Sequence, residues 1–181
     1  ELGDSISVIG TIEAVSKFYN RLGYRNRYIN SSMIIGGGML SHYLVEKLIK
    51  NNVQVKVVEE SEKRTVKLSE KYPKAEVILG KETDQEFLIS EGIKNYDSVV
   101  TLTDKDEENM IISMFAKAVT NAKVITKMNS SLLLPILENQ NLNAAVVPKK
   151  IITDIIVRVV RSKSNTRGSK MNTLYRMCDN K

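Results

Sequence analysis

The chain has 181 residues, 42% of them hydrophobic and 27% charged, with a formal net charge of +6. That length allows one substantial core, and the composition is that of an ordinary globular protein. No apolar run approaches the ~18 residues that would suggest a membrane-spanning helix. Cys178 is the single cysteine, which excludes a disulfide within one chain and suits a reducing cytoplasm. The charge is uneven, since residues 149–181 hold nine basic and two acidic side chains and the remainder carries −1. A basic tail can touch nucleic acid or anionic lipid. Tyr175 is its only aromatic residue, so base stacking has little support and a solvated connector is the preferred reading, with no nucleic-acid partner. The chain opens at Glu1 without an initiator Met and stops at Lys181 without a helix cap or strand end, and so reads as a piece of something longer.

In chain order, residues 4–10 alternate polar and apolar side chains and predict an edge strand. Thr11 can cap a helix to Leu22 with Ile12, Val15, Phe18, Tyr19 and Leu22 as its apolar stripe, and Gly23 stands where such a helix stops. A polar connector fills 24–31. From Met33 strands and helices alternate. A first strand ends in Gly36-Gly37-Gly38, followed by a helix with Leu40, Leu44, Val45, Leu48 and Ile49 toward the core. The second strand is 54–58, and a helix at 62–71 turns Val66 and Leu68 inward. The third strand is 75–79. Thr83 or Asp84 caps a short helix carrying Phe87, Leu88 and Ile89 that stops near Gly92. The fourth strand is 98–102. Asp104 then caps a long helix, with Glu107 completing a capping box and Ile111, Met114, Phe115 and Ala118 on the buried side. Strands at 124–126 and 144–147 flank a helix at 130–139, and Pro148 opens a final helix reaching about residue 160. Strands separated by helices imply parallel neighbours joined by right-handed crossovers. The expected fold is α/β, a doubly wound Rossmann-type sheet of six strands in order 3-2-1-4-5-6, with a short strand–helix segment before it. Its ligand crevice lies at the carboxyl ends of strands one and four.

The glycine turn is the chemical centre of this pattern. Gly36-x-Gly38-x-x-Ser41 matches the dinucleotide fingerprint except at its third glycine. Gly36, Gly37 and Gly38 let the backbone turn sharply and approach a pyrophosphate closely, and the amides of Met39 and Leu40 open the helix whose dipole favours an anion. A valine at position 38 is expected to fail on both space and backbone angles. Glu59 ends the second strand near the ~20-residue spacing at which a ribose-binding carboxylate is expected. It can instead cap the next helix or sit solvated, and the turn can belong to a Rossmann shell whose crevice is empty. The acids at Asp104, Asp106, Glu107 and Glu108 gather at a helix N-terminus, where capping is preferred over a divalent cation. His42, the only histidine, has no second ligand at metal spacing and is read as a surface or packing residue. Met110, Met114 and Ile112 widen the apolar surface of the long helix, for contact with another subunit or for ordinary burial.

The set Ile34-Ile35-Gly36-Gly37-Gly38, Val57-Val58-Glu59, 80–86 (Gly-Lys-Glu-Thr-Asp-Gln-Glu), 100–104 (Val-Thr-Leu-Thr-Asp), Glu107-Glu108-Asn109 and Ala145-Val146-Val147-Pro148 closely resembles the TrkA-type RCK/KTN domains that regulate potassium channels and transporters. The resemblance implies that 1–23 ends a preceding C-lobe, 24–31 is a linker, 32–148 is a nucleotide-binding N-lobe, and 149–181 is a crossover helix leading into the next C-lobe. It implies a bound NAD(H), or ATP or ADP as in some relatives. Gly36, Gly38 and the Met39 and Leu40 amides would hold the phosphates, and Glu59 the ribose hydroxyls. The Gly80–Lys81 loop would flank the adenine, and Thr101 and Thr103 would line the other wall. Two departures stand out: Ser41 replaces the third glycine and loosens the approach of helix to sheet, and Lys81 stands where the family usually has an acid. The implied role is regulatory, at the inner face of the cell membrane beside a membrane-embedded Trk-type potassium transporter subunit, with self-association into dimers or tetramers. The alternative is the cofactor half of an NAD-dependent dehydrogenase. It lacks a Tyr-x-x-x-Lys or other proton-donor pair facing the expected crevice, so a non-enzymatic sensor is preferred.

Overall fold

The computed structural model describes residues 8, 10–23, 29–140, 142 and 144–164. Most of the strand expected at 4–10, and the basic tail beyond 164, lie outside the described residues. The first described helix is α1 (Ile12–Arg21), capped by Thr11, whose side chain accepts from the Ala14 amide at 3.3 Å. Its Phe18, Tyr19 and Leu22 are exposed.

From there strands and helices alternate as β1 (Ser31–Ile35), α2 (Met39–Lys50), β2 (Gln54–Glu59), α3 (Glu62–Lys71), β3 (Glu76–Leu79) and α4 (Gln85–Ser90). The second half continues with β4 (Ser98–Thr101), α5 (Asp106–Val119), β5 (Lys123–Lys127), α6 (Leu134–Asn139), β6 (Ala145–Val146) and α7 (Pro148–Ser164). The sheet is parallel throughout, in the order β3-β2-β1-β4-β5-β6. Strand order therefore reverses between β1 and β4, which is where an open α/β sheet leaves a crevice.

The period-two alternation of the strands divides the core. Met33, Ile35, Val58 and Val99 point to one face, covered through Leu88 of α4, Ile112 and Ala116 of α5 and Leu137 of α6. Ile34, Val55, Val57 and Val100 point to the other, covered through Val45 of α2 and Leu68 of α3. Burying a side chain of this size stabilises by about 1.5–3 kcal/mol, so these two layers hold the crevice walls in register.

Several helix faces differ from expectation. In α2 Val45 is buried and Leu44, Leu48 and Ile49 pack against the core as expected, whereas Leu40 is exposed and Ser41 is buried; in α3 Leu68 is buried and Val66 is not. In α5 the inner face is Asn109, Ile112, Ser113 and Ala116, whereas Ile111, Met114 and Ala118 are exposed and Phe115 is half-buried. The helix is rotated because Asn109 and Ser113 hydrogen-bond inside the fold, so polar side chains hold positions that an apolar stripe does not mark. Lys105, not Asp104, occupies its N-cap, without a side-chain cap bond. Among the described residues no helix is long and apolar enough to cross a membrane.

Candidate functional site

The crevice forms where β1 ends. Gly36 has φ +104°, a left-handed value that favours glycine, and a Cβ there would lie 2.7 Å from the Leu102 carbonyl carbon. Its amide donates to the Val58 carbonyl at 2.9 Å, while the Leu102 amide donates to the Ile35 carbonyl at 2.7 Å. The turn is thus pressed between β2 and the exit of β4. Gly37 donates its amide to Glu59 Oε2 at 2.6 Å, and a Cβ would sit 2.6 Å from that same oxygen. Gly38 is the N-cap of α2, with φ −72° and ψ −173°, an ordinary extended backbone. A Cβ on Gly38 would meet no protein atom within 4 Å, so it would project into open space. The backbone-angle argument therefore belongs to Gly36, and only the space argument to Gly38. Because Gly38 offers no side-chain cap, the first amides of α2, at Met39 and Leu40, have neither an intrahelical nor a capping partner. The side chains of Met39 and Leu40 are exposed; what those residues offer is backbone.

Ser41, at the third fingerprint position, is fully buried and its hydroxyl donates to the Gly36 carbonyl. The hydroxyl ties the first turn of α2 to the glycine turn.

Glu59 is fully buried at the end of β2. Its Oε2 accepts from Gly37, and its Oε1 from the Ser61 amide at 2.7 Å and from Arg64 Nη2 at 2.7 Å. These are charge-assisted bonds, and a carboxylate has about four lone-pair sites, so one acceptor position remains on Oε2. The pairing with Glu59 is the first cause holding the Arg64 guanidinium above its ordinary pKa.

The opposite wall is rigid. The Thr103 amide donates to Asn109 Oδ1 at 2.8 Å, Asn109 Nδ2 donates back to the Thr103 carbonyl at 3.0 Å, and the Thr103 hydroxyl donates to the Lys105 carbonyl at 3.1 Å. Gly36, Gly37, Gly38, Glu59 and Thr103 border one cavity of about 250 Å³. Thr101 does not reach it, being fully buried with its hydroxyl 3.0 Å from Ser113 Oγ beneath the wall. Gly80 also stays outside: its amide donates to the Glu59 carbonyl at 3.0 Å, and a Cβ would run into the Phe87 ring. Lys81 is exposed and does not line the cavity.

Sequence reasoning missed Arg64, Glu82 and Lys105, which all line it. Glu82 is 4% exposed. Burial first, then the charges of Glu59 and Glu60, push its carboxyl up to about 7, against the Glu60 backbone amide and Arg64. Lys105 is raised above its ordinary value, first by its hydrogen bond to Glu108 at 2.7 Å. The signal for Glu82 is its place two residues after Gly80, beside Lys81 in the same motif. Arg64 reads from sequence as one more charge on a polar helix.

The acids near the start of α5 have separate partners. Asp106 accepts from the Asn129 and Ser130 amides at 2.7 and 2.9 Å, while Asp104 faces Arg64 at 3.8 Å and Lys127 at 3.9 Å. Among the described residues no group of three or more His, Cys, Asp or Glu is placed to hold a metal ion. His42 packs with its ring centroid 5.7 Å from that of Tyr72, whose hydroxyl donates to the His42 carbonyl. Burial first, then Lys71 and Lys67, lower its pKa.

The cavity thus combines a Cβ-free turn, uncapped helix amides and a carboxylate one strand away, a donor and acceptor set that fits a nucleotide. Its volume is below the ~300–1,000 Å³ of common small-molecule pockets, so a dinucleotide would extend past its rim.

Among proteins of known sequence, Trk system potassium uptake protein TrkA homolog 2 of Methanosarcina mazei (strain Goe1) is 29% identical over 161 residues, which is 88% of this chain and 36% of that protein. The chain spans about a third of the length of such relatives. Among solved structures, the TrkA-N domain of the inner membrane protein ybaL from Escherichia coli aligns with a TM-score of 0.66 at 18% identity, over 74% of this chain and 98% of that one. The GsuK channel bound to NAD aligns with a TM-score of 0.55 at 20% identity, over 75% and 25% of the two chains. GsuK bound to ADP does so at 0.61 and 18%, over 84% and 41%. At these identities the structural likeness speaks for the fold alone. A family model described as the TrkA-N domain matches residues 32–148, and the chain belongs to that family.

Proposed function

We propose that this chain is the nucleotide-binding regulatory part of a potassium uptake transporter, that it senses NAD(H) or ATP/ADP, and that it acts by conformational change rather than catalysis. The observation that carries the reading is the open space above Gly38, between the uncapped start of α2 and the buried Glu59. Phosphates there would meet the Gly38, Met39 and Leu40 amides and the positive end of the α2 dipole. Glu59 would take a ribose hydroxyl on its remaining acceptor site. Gly80 and Lys81 would form the outer rim near the base, Thr103 the opposite wall, and Thr101 would act from below by fixing that wall.

Support comes from the relatives: a TrkA homologue in a potassium uptake system, and a channel with the same fold solved with NAD and with ADP. By that analogy the partner is a membrane-embedded Trk-type subunit, and the domain sits in the cytoplasm, peripheral at the inner face of the membrane. It self-associates into dimers or tetramers, with 1–23 ending a preceding C-lobe and 149–181 forming the crossover helix and the start of the next. A ligand can shift such a domain only through different affinity for two states. The two cavity walls offer a means, since Arg64 of α3 and Asp104 before α5 approach across it at 3.8 Å. That contact is solvent-exposed and worth little, so a bound phosphate displaces it at low cost. The described cavity-lining residues include no histidine, tyrosine or cysteine.

Calorimetry with NAD, NADH, NADP, ADP and ATP tests the proposal. NAD is expected to bind at least about tenfold tighter than NADP, because a 2′-phosphate would face the Glu59 carboxylate, and ~1.4 kcal/mol of repulsion suffices for that ratio. Failure of all five to bind at millimolar concentration refutes nucleotide sensing. Equal affinity for NAD and NADP removes Glu59 from the ribose site.

A further inference from the structure

The cavity is lined by carboxyl groups that the glycine turn does not use, and Glu82 is the buried one among them. Glu59 already accepts from Gly37, Ser61 and Arg64. Glu82, on the loop leaving β3, lines the same cavity and is 4% exposed, yet its buried Oε1 has no hydrogen-bond partner among the described residues. An unpaired buried carboxyl oxygen is unfavourable until a donor reaches it. The strand order sets which part of a ligand can do so. Glu82 follows β3, the glycine turn follows β1, and β2 with Glu59 lies between them. With phosphates over the turn, Glu82 faces the nucleoside half, whose donors are the ribose hydroxyls and the exocyclic amino group of adenine.

We propose that Glu82 is a specificity-determining residue of this cavity, its free carboxyl oxygen accepting a hydrogen bond from a nucleoside donor of an adenine nucleotide. The inference rests on the nucleotide-binding reading above. It adds Glu82 to the Gly80–Lys81 loop that the resemblance places beside the adenine.

The surrounding charges set the pH dependence. Glu82 is faced by Glu59 at the end of β2, by Glu60 after it and by Arg64 from α3, and Lys105, Asp104 and Glu108 line the other wall. Burial and the two neighbouring glutamates keep its carboxyl at about 7. A ligand donor favours the ionised form, so binding releases a proton, and affinity rises as pH increases through 7.

Calorimetry on the whole chain, with NAD at pH 6 and pH 8, reads this directly, because NAD has no group that titrates in that interval. NAD should bind about five- to tenfold tighter at pH 8 than at pH 6. Glu82→Ala should weaken binding at pH 8 by about tenfold or more and remove the pH dependence. Glu82→Gln, which keeps an acceptor and cannot ionise, should also be flat in pH, with a smaller loss. Two analogues identify the donor: 3′-deoxy-NAD (lacking the adenosine 3′-hydroxyl) removes the ribose donor not assigned to Glu59, and deamino-NAD lacks the amino group. One of them should bind the parent more weakly than NAD, and that penalty should vanish in Glu82→Ala. Circular dichroism checks that each variant is folded, and the Gln variant carries the test if the Ala variant is not. A pH-flat parent, or an analogue penalty that survives unchanged in a folded variant, overturns the proposal. A parent that does not bind NAD overturns it too, and failure of ADP and ATP as well overturns the nucleotide reading beneath it.

Discussion

The three glycines of the turn serve three different constraints, and substitutions separate them. Gly36 combines a left-handed φ with a Cβ position 2.7 Å from backbone of Leu102. Gly36→Ala should therefore destabilise the fold by at least about 2 kcal/mol, from the positive φ and from overpacking together, seen as a lower denaturation midpoint. Gly38 has ordinary angles and open space beside it. Gly38→Val should leave circular dichroism unchanged and abolish nucleotide binding by filling the phosphate position; normal binding in a folded variant would move the phosphates elsewhere. Glu82 adds a linkage effect. Its carboxyl is raised from 4.5 to about 7 in the fold, so the native state holds more protons than the unfolded state across that interval. Stability contributed by the protonated form is present below about pH 4.5 and lost as pH rises to about 7. Glu82→Gln should consequently stabilise the ligand-free protein at pH 8, by up to ~3 kcal/mol, and have little effect at pH 4. Urea midpoints at the two pH values measure the difference.

Among the elements, α5 is the one whose packing depends on polar contacts. The Thr126 hydroxyl donates to Ser113 Oγ at 2.7 Å, Ser113 lies 3.0 Å from the Thr101 hydroxyl, and Thr101 donates to the Asn109 carbonyl at 3.4 Å. This buried chain links β5, α5 and β4 under the wall that carries Thr103. Ser113→Ala leaves the Thr126 hydroxyl without its acceptor and should cost about 1–3 kcal/mol, with an unchanged urea m-value. Asp106 anchors the same helix to the loop after β5 through two amides. The wall opposite the glycine turn is therefore held by hydrogen bonds at both ends, and a ligand touching it meets a positioned surface.

At the scale of the whole molecule, α7 stands out. Ile151, Ile152, Ile155, Ile156, Val159 and Val160 are all exposed, and Val157 adds apolar surface beside them. A helix that only covers its own sheet needs roughly a 100° apolar stripe, and among the described residues these side chains stay about half exposed. Each Å² of such surface removed from water gains about 25 cal/mol. Ile155→Asp is expected to weaken self-association while leaving nucleotide affinity unchanged, because α7 contributes no residue to the cavity. Light scattering with and without NAD checks this, and an unchanged oligomer would mean that α7 is not the contact.

How much of this was legible in the chain differs from element to element. The six strands, their order and the crevice between β1 and β4 were readable, because hydrophobic period, glycine punctuation and crossover handedness are local or nearly local rules. The glycine turn and Glu59 were likewise marked by type and spacing. The inner face of α5 and the place of Ser41 in α2 were not, since Ser41, Asn109 and Ser113 are satisfied there by hydrogen bonds to residues brought near by folding. Nor was the cavity's full lining readable, because Arg64, Glu82 and Lys105 come from three separate segments that only the parallel packing of β3, β2, β1 and β4 draws together. Sequence by itself determined the architecture and the phosphate turn. Tertiary structure decided which carboxylate is paired at both oxygens and which keeps an unpaired oxygen, because that depends on how the chain packs: Arg64 and the Gly37 amide reach Glu59, and none of the described residues reaches Glu82 Oε1.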